Sequence, residues 1–137
     1  MLNRIKFDIQ GLFEEMLDQM PEEVFNSKNT TFVDVEAAGG QSYQAIKNKL
    51  LAAGHSEKNI NKRVTMFFNN AFEQNYAINK NSVNCNTEVR DILKNPSAKK
   101  FDVVIGNPPY SDLAKASDKL WGKFVNKGFE LLKDNGT

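Results

Sequence analysis

Cysteine and histidine are almost missing from this chain of 137 residues, which contains one of each. A single cysteine can form neither an internal disulfide nor a cysteine metal cluster, so we expect a reducing, cytoplasmic location. Strong net charge is missing as well, because 18 basic residues face 17 acidic ones and give +1. A module that binds duplex DNA on its own is usually more basic.

Long apolar runs are also absent from the sequence. No stretch approaches the roughly 20 apolar residues that cross a membrane, so no membrane association is expected. Four acidic residues lie within the first twenty positions, which argues against a signal or transit peptide. The length of the chain is enough for one domain with a core of its own.

What the sequence does contain is an alternation of short apolar runs with segments of helical periodicity. It begins with an N-terminal helical segment, 1–28, that includes a helix over roughly 7–20. The alternation predicts an α/β fold with a Rossmann-like, doubly wound, mostly parallel sheet. Strands are predicted at 31–35, 64–68, 82–85 and 101–105, and helices at 42–53, 71–79, 88–93 and about 120–132.

The predicted sheet is truncated after about four strands. The whole chain, 1–137, is therefore interpreted as one incomplete domain. The fourth strand would be an exposed edge, or a homodimer mate or another partner chain would cover it. Within the helix at 71–79, we expect Phe72, Tyr76 and Ile78 to face the core.

One segment, residues 101–110, indicates a chemistry. The apolar run Val103–Ile105 is followed at once by Gly106 and then by Asn-Pro-Pro-Tyr. Proline has no N–H for a sheet ladder and fixes its own φ, so the strand ends here and Asn107 and Tyr110 are held in a stiff loop. In open α/β sheets ligands bind at the carboxyl ends of strands. A carboxamide, bare carbonyls and a flat ring suit a planar, amino-bearing substrate.

This segment resembles the Asn-Pro-Pro-Tyr motif of S-adenosylmethionine-dependent methyltransferases that act on planar amino groups, in particular DNA adenine-N6 enzymes of restriction-modification or phage type. The resemblance implies S-adenosyl-L-methionine as cofactor and methyl transfer to N6 of an adenine flipped out of double-stranded DNA. It implies catalytic roles for Asn107, Pro108, Pro109 and Tyr110, and no metal. The target-recognition region of such enzymes is missing here, so DNA would be bound through regions outside this sequence.

The same resemblance places a cofactor loop after the first predicted strand. The segment Phe32–Gly40 resembles the family pattern Asp-Pro-x-x-Gly-x-Gly, with valine in place of the proline and Ala38 in place of a glycine. Asn69 stands at the position of an acid that holds the ribose. The implied cofactor-binding residues are Asp34, Ala38, Gly39, Gly40, Asn69, Asp91 and Asn107.

Other interpretations of these residues stay open. The same chemistry could act on rRNA or on a protein glutamine, and a non-catalytic module could keep the fold without the activity. The segment Asn107–Tyr110 could be only a rigid turn, and Asp34 could cap the turn that follows it. Glu36 is expected to be a solvated loop acid, with a cofactor contact as the alternative, and His55 is expected to be a surface residue.

Overall fold

The computed structural model describes residues 9–95, 99–106, 126–134 and 136–137. In this part of the chain no helix combines the length and the hydropathy needed to span a membrane. The helices and strands, in chain order, are α1 (Ile9–Asp18), α2 (Glu22–Asn26), β1 (Phe32–Asp34), α3 (Gln41–Ala52), α4 (Glu57–Arg63), β2 (Val64–Phe68), α5 (Ala71–Lys80), β3 (Asn86–Val89) and β4 (Val103–Ile105).

The four strands form one parallel sheet in the order β3-β2-β1-β4. Strand β1 lies between β2 and β4, and its last residue, Asp34, is opposite Met66 on one side and Ile105 on the other. The chain therefore moves outward from β1 through β2 to β3 and then crosses back to the other side of β1. This arrangement confirms the predicted α/β fold with a Rossmann-like parallel sheet.

Both faces of the central strands are buried, because neighbouring residues of a strand point to opposite faces. Phe32 and Met66 belong to a large core that also includes side chains of helices α1 to α5. Val33 and Phe67 belong to a smaller core with Ile92 and other side chains. Parallel strands covered on both faces read as continuous apolar runs, which is why β1 and β2 could be predicted.

Local capping explains where the helices begin and end. The side chain of Ser56 accepts a hydrogen bond from the N–H of Asn59 (3.1 Å) at the start of α4. Asn70 does the same for the N–H of Glu73 (2.8 Å) at the start of α5. Helix α3 ends just before Gly54, whose φ of +95° suits glycine. The helices predicted at 42–53 and 71–79 are thereby confirmed.

The prediction for the third strand was wrong. Strand β3 is Asn86–Val89 rather than 82–85, and Glu88 and Val89 are extended rather than the start of a helix at 88–93. Strand β3 is at the edge of the sheet, and none of its four side chains is buried. It therefore lacks the apolar periodicity that identifies a strand. A side-chain hydrogen bond connects the strand to α5 instead, because Gln74 Nε2 donates to Thr87 Oγ1 (2.9 Å).

The expected inward face of α5 was also wrong. Phe72 is 79% exposed, Tyr76 50% and Ile78 38%, whereas Ala77 is the buried residue of this helix. A small residue faces inward because α5 lies close to the loop that follows β1. A Cβ atom at Gly40 would be 3.1 Å from the Cβ of Ala77.

Helix α2 and the environment of His55 were not predicted. His55 is buried, and its Nε2 lies 2.6 Å from the carbonyl oxygen of Phe25 in α2. The aromatic ring of Phe25 in turn stacks on Phe32, with ring centroids 6.1 Å apart. The histidine therefore joins the N-terminal helices to the rest of the molecule and is not a surface residue.

The outer edge of β4 is hydrogen-bonded to the C-terminal residues of the chain itself. The N–H of Phe101 donates to the carbonyl of Leu131 (2.7 Å), and the N–H of Lys133 donates back to Phe101 (2.8 Å). The N–H of Thr137 donates to the carbonyl of Asp102 (2.6 Å). These bonds occupy groups at the edge for which an exposed surface or another chain was expected. The homodimer or partner chain stays a prediction.

Candidate functional site

The loop after β1 lies at the point where the strand order reverses. The N–H of Val35 donates to the carbonyl of Ile105 in β4 (3.1 Å), and the N–H of Ala37 donates to Phe67 in β2 (2.9 Å). The loop is therefore tied to both neighbouring strands at their carboxyl ends. In open α/β sheets this switch point is where ligands bind.

Asp34 holds the loop in shape from the inside. It is completely buried, and its carboxylate accepts hydrogen bonds from the backbone N–H of Glu36 (2.9 Å) and from the hydroxyl of Ser42 in α3. Burial raises the pKa of Asp34 to about 6, although both hydrogen bonds act in the opposite direction. A cofactor role of Asp34 would therefore be indirect, because its side chain holds the conformation of the loop. This role stays a prediction. Sequence reasoning missed Ser42, which no motif identified.

The loop has the backbone conformations that the glycine pattern predicts. Ala38, which stands in place of a glycine, has a left-handed φ of +48°, and Gly40 has φ +80°. A Cβ at Gly40 would lie 2.7 Å from Cγ2 of Val83, so the position accepts only glycine without rearrangement. At Gly39 a Cβ would meet only the end of the flexible Gln41 side chain. Gly40 is also the N-cap of α3 and provides no side-chain cap.

Asn69 lies at the carboxyl end of β2 and contacts the loop. Its Nδ2 donates a hydrogen bond to Oε1 of Glu36. Burial, together with the negative charges of Glu73, Asp34 and Asp91, raises the pKa of Glu36 to about 7. Glu36 was expected to be a solvated loop acid, and the structure makes it half-buried and paired with a predicted site residue.

Asp91 follows β3 at the same edge of the sheet. Its Oδ1 accepts a hydrogen bond from the N–H of Leu93 (2.9 Å), and its carbonyl accepts from Lys94 and Asn95. The side chain therefore caps the turn after β3, where a helix had been predicted. It is close enough to Glu36 to raise the pKa of that residue.

A cavity of about 300 Å³ lies between the loop and α5. The exposed rings of Phe72 and Tyr76 line it, together with Ala38, Gly39 and Glu73. Sequence reasoning assigned both rings to the core. Their spacing of four residues on one helix face was visible in the sequence, but it does not distinguish a core face from an exposed one.

Gly106 connects β4 to the predicted catalytic motif. A Cβ at this glycine would lie 3.0 Å from Cγ2 of Val35, so the end of β4 touches the loop after β1. Asn107, Pro108, Pro109 and Tyr110 lie outside the described residues, and their roles stay predictions. Between 9 and 137, the described residues contain no group of three or more His, Cys, Asp or Glu side chains arranged to hold a metal ion.

Comparisons with known proteins agree with this architecture. No curated protein sequence matches the chain. A crystal structure of Thermoplasma acidophilum 1320 matches with a TM-score of 0.55 and 21% identity, over 90% of this chain and 66% of that one. The chain thus spans just under two thirds of that protein, and at this identity the match supports the fold.

The family model described as Eco57I restriction-modification methylase matches residues 16–137. This range includes the whole sheet, the loop after β1 and the Asn-Pro-Pro-Tyr segment. The chain therefore belongs to the Eco57I restriction-modification methylase family.

Proposed function

We propose that this chain carries out S-adenosylmethionine-dependent methyl transfer to the exocyclic N6 amino group of adenine in DNA. The observation that carries the proposal is the contact between the residue that follows β4 and the loop that follows β1. Gly106, the residue immediately before Asn-Pro-Pro-Tyr, lies against Val35 in the predicted cofactor loop. A donor held by the loop and an acceptor held by the motif would therefore be neighbours. Alignment of this kind supplies a large part of catalytic rate.

The polar groups at the carboxyl ends of the strands fit S-adenosylmethionine, which would supply a methyl group on a cationic sulfur. Helix α3 begins after Gly40 without a side-chain cap, so its first N–H groups suit a carboxylate. The carboxylates of Glu73 and Asp91 each lie close enough to Glu36 to interact with it, and this negative charge suits cationic groups of a ligand. Asn69 adds a neutral polar group that suits hydroxyls.

The predicted motif would act on the adenine amino group. The nitrogen lone pair is delocalised into the ring, so it is a poor nucleophile. The side-chain oxygen of Asn107 and the carbonyl of Pro108 would accept the two N6 hydrogens and stabilise the charge that develops on nitrogen. Hydrogen bonds to a charged group contribute roughly 1.5–3 kcal/mol each, so loss of Asn107 should cost on the order of 10²-fold in rate. Tyr110 would stack on the flipped base, worth roughly 1–3 kcal/mol.

Two measurements test the proposal. The first is calorimetric titration of the chain with S-adenosylmethionine, where absence of binding would contradict it and favour a non-catalytic module. The second uses the cofactor with a labelled methyl group and unmethylated double-stranded DNA, RNA and a mixture of proteins as acceptors. We expect label in N6-methyladenine of the DNA. Label only in RNA or protein would identify the alternative substrates.

A pair of variants links the activity to the motif. Asn107→Ala should slow transfer by on the order of 10²-fold or more and leave most of the cofactor affinity. The matched control is Asn29→Ala, at an exposed asparagine of the connector before β1, which should leave both unchanged. If Asn107→Ala still methylates DNA at the normal rate, the proposed chemistry of the motif is wrong.

A further inference from the structure

We infer that Glu36 is a ligand-binding carboxylate for a vicinal diol, the ribose of the cofactor, and that Asn69 orients this carboxylate and adds a second acceptor. The inference rests on the proposed function, since it concerns the cofactor of the same site. It goes beyond the resemblance, which places Asn69 at the ribose position but does not say what Glu36 would contact.

The backbone fixes Glu36 opposite the end of β2. Strands β1 and β2 pair in parallel with Asp34 opposite Met66. Beyond this pair, the N–H of Ala37 donates to the carbonyl of Phe67. Glu36 precedes Ala37, so its side chain leaves the loop beside the last residues of β2. Strand pairing therefore brings Glu36 close to Asn69, and their side chains form the hydrogen bond between them.

The chemistry of the pair determines which atoms remain for a ligand. An ionised carboxylate only accepts hydrogen bonds, so the amide of Asn69 must present its N–H to Glu36. In the part of the chain that the structure describes, neither side chain makes another hydrogen bond. The second oxygen of Glu36 and the oxygen of Asn69 are therefore two acceptors on adjacent side chains. A vicinal diol offers two neighbouring O–H donors, and O–H donors bind carboxylates strongly.

The other carboxylates near the carboxyl ends of the strands are less suited to binding the diol. Asp34 is completely buried, and each of its oxygens already accepts a hydrogen bond. Asp91 uses one oxygen to cap the turn after β3. Glu36 is half-buried, so it remains accessible while its orientation is fixed. Burial and like charges also make its ionised form costly, as its raised pKa shows, and hydroxyl donors would relieve that cost.

The experiment compares two ligands that differ only in the diol. S-adenosylhomocysteine and its 2′,3′-dideoxy analogue are titrated calorimetrically into the wild-type chain and into Glu36→Gln at about pH 8.5, above the pKa of the carboxyl. We expect Glu36→Gln to weaken binding of S-adenosylhomocysteine by about 10- to 100-fold and to leave the dideoxy analogue unchanged. The matched control is Glu15→Gln, at an exposed glutamate of α1 outside the candidate site, which should change either affinity by less than about threefold.

A double variant that moves the carboxylate from position 36 to position 69 tests whether binding can be restored. In Glu36→Gln/Asn69→Asp the carboxylate moves to the strand end, and we expect the double variant to regain most of the affinity for S-adenosylhomocysteine that Glu36→Gln loses. Asn69→Ala should weaken only the diol-bearing ligand, and less than Glu36→Gln does. It also serves as the test if Glu36→Gln does not fold. A merely structural role of the pair would affect both ligands alike.

The outcomes separate this inference from the proposed function. If the wild-type chain binds both ligands and Glu36→Gln binds them equally well, or loses both to the same extent, Glu36 does not bind the diol and the proposed cofactor stands. If the wild-type chain binds neither ligand, the proposed function fails and this inference fails with it.

Discussion

The central strands and the edge strand of the sheet are held in place by different interactions. All residues of β1 and β2 are buried, and their side chains fill both cores. No residue of β3 is buried, and the exposed rings of Phe72 and Tyr76 lie on the neighbouring helix. Apolar burial therefore specifies the centre, whereas backbone pairing and a few polar side chains specify the edge. The loop of the candidate site lies at the centre, and Asn69 and Asp91 extend it toward the edge.

Truncation of one phenylalanine in each region tests this difference most strongly. Phe32→Ala removes a completely buried ring from β1 and should lower the free energy of unfolding by about 3–5 kcal/mol. Phe72→Ala removes a ring that is 79% exposed and should change it by less than about 0.5 kcal/mol. Denaturant unfolding of both variants measures the contrast. A large loss in Phe72→Ala would mean that the edge, too, depends on apolar packing.

The same contrast explains what the sequence could predict. The apolar run Val64–Phe68 gave the bounds of β2 correctly, because a strand buried on both faces leaves a continuous signal. Strand β3 leaves no such signal, and 88–93 was therefore mistaken for a helix. The rings of Phe72 and Tyr76 were assigned to the core because helical spacing shows that residues share a face but not which way the face points.

The candidate site was predictable to a similar degree. The loop around Gly40 was predicted through its resemblance to the family's glycine pattern, and the positive φ of Gly40 agrees with a glycine at that position. The contacts of Glu36 with Asn69 and of Ser42 with Asp34 were not, because they depend on side chains brought together by strand pairing and by the start of α3. No local pattern in the sequence records such contacts.

Two glycines with positive φ distinguish steric crowding from backbone strain. Gly40→Ala places a Cβ 2.7 Å from Val83 and should destabilise the chain by about 2–5 kcal/mol through strain and overpacking together. Gly54→Ala is the matched control, because φ is +95° and no atom lies within 4 Å of the added Cβ. It should cost only the strain, about 1–2 kcal/mol. Equal losses in thermal or denaturant unfolding would show that the loop after β1 is not closely packed against Val83.

The buried carboxyl of Asp34 predicts how stability depends on pH. Its pKa is raised from 3.8 to about 6, so the folded chain binds this proton more tightly than the unfolded chain. The free energy of unfolding should therefore fall as pH rises through this window, by about 2–3 kcal/mol for Asp34. Glu36, with a pKa raised to about 7, extends the fall to higher pH. Denaturant unfolding between about pH 4.5 and 8 measures the slope.

Two variants identify the groups responsible for this slope. Glu36→Gln should flatten the upper part of the window and leave the lower part to Asp34. Asp102→Asn is the control, because hydrogen bonds from Thr31 and Lys133 hold the pKa of Asp102 below its usual value although burial opposes them. The stability that Asp102 contributes is present above that usual value and is lost only at lower pH. A stability that rises between pH 5 and 7 would contradict the burial of the Asp34 carboxyl.

The smallest expected effect concerns the residue that departs from the glycine pattern. Ala38 keeps a left-handed φ of +48°, which costs an alanine about 1–2 kcal/mol, and its side chain is exposed. Ala38→Gly should remove that strain but gain unfolded-state entropy worth about 0.5–1 kcal/mol, so a net stabilisation of up to about 1 kcal/mol is expected in denaturant unfolding. Ala53→Gly is the control, since Ala53 has an ordinary φ of −81° and the change should destabilise. If Ala38→Gly destabilises the chain as much as Ala53→Gly does, the loop after β1 does not require a glycine conformation at position 38. Gly40 alone would then set the shape of the loop.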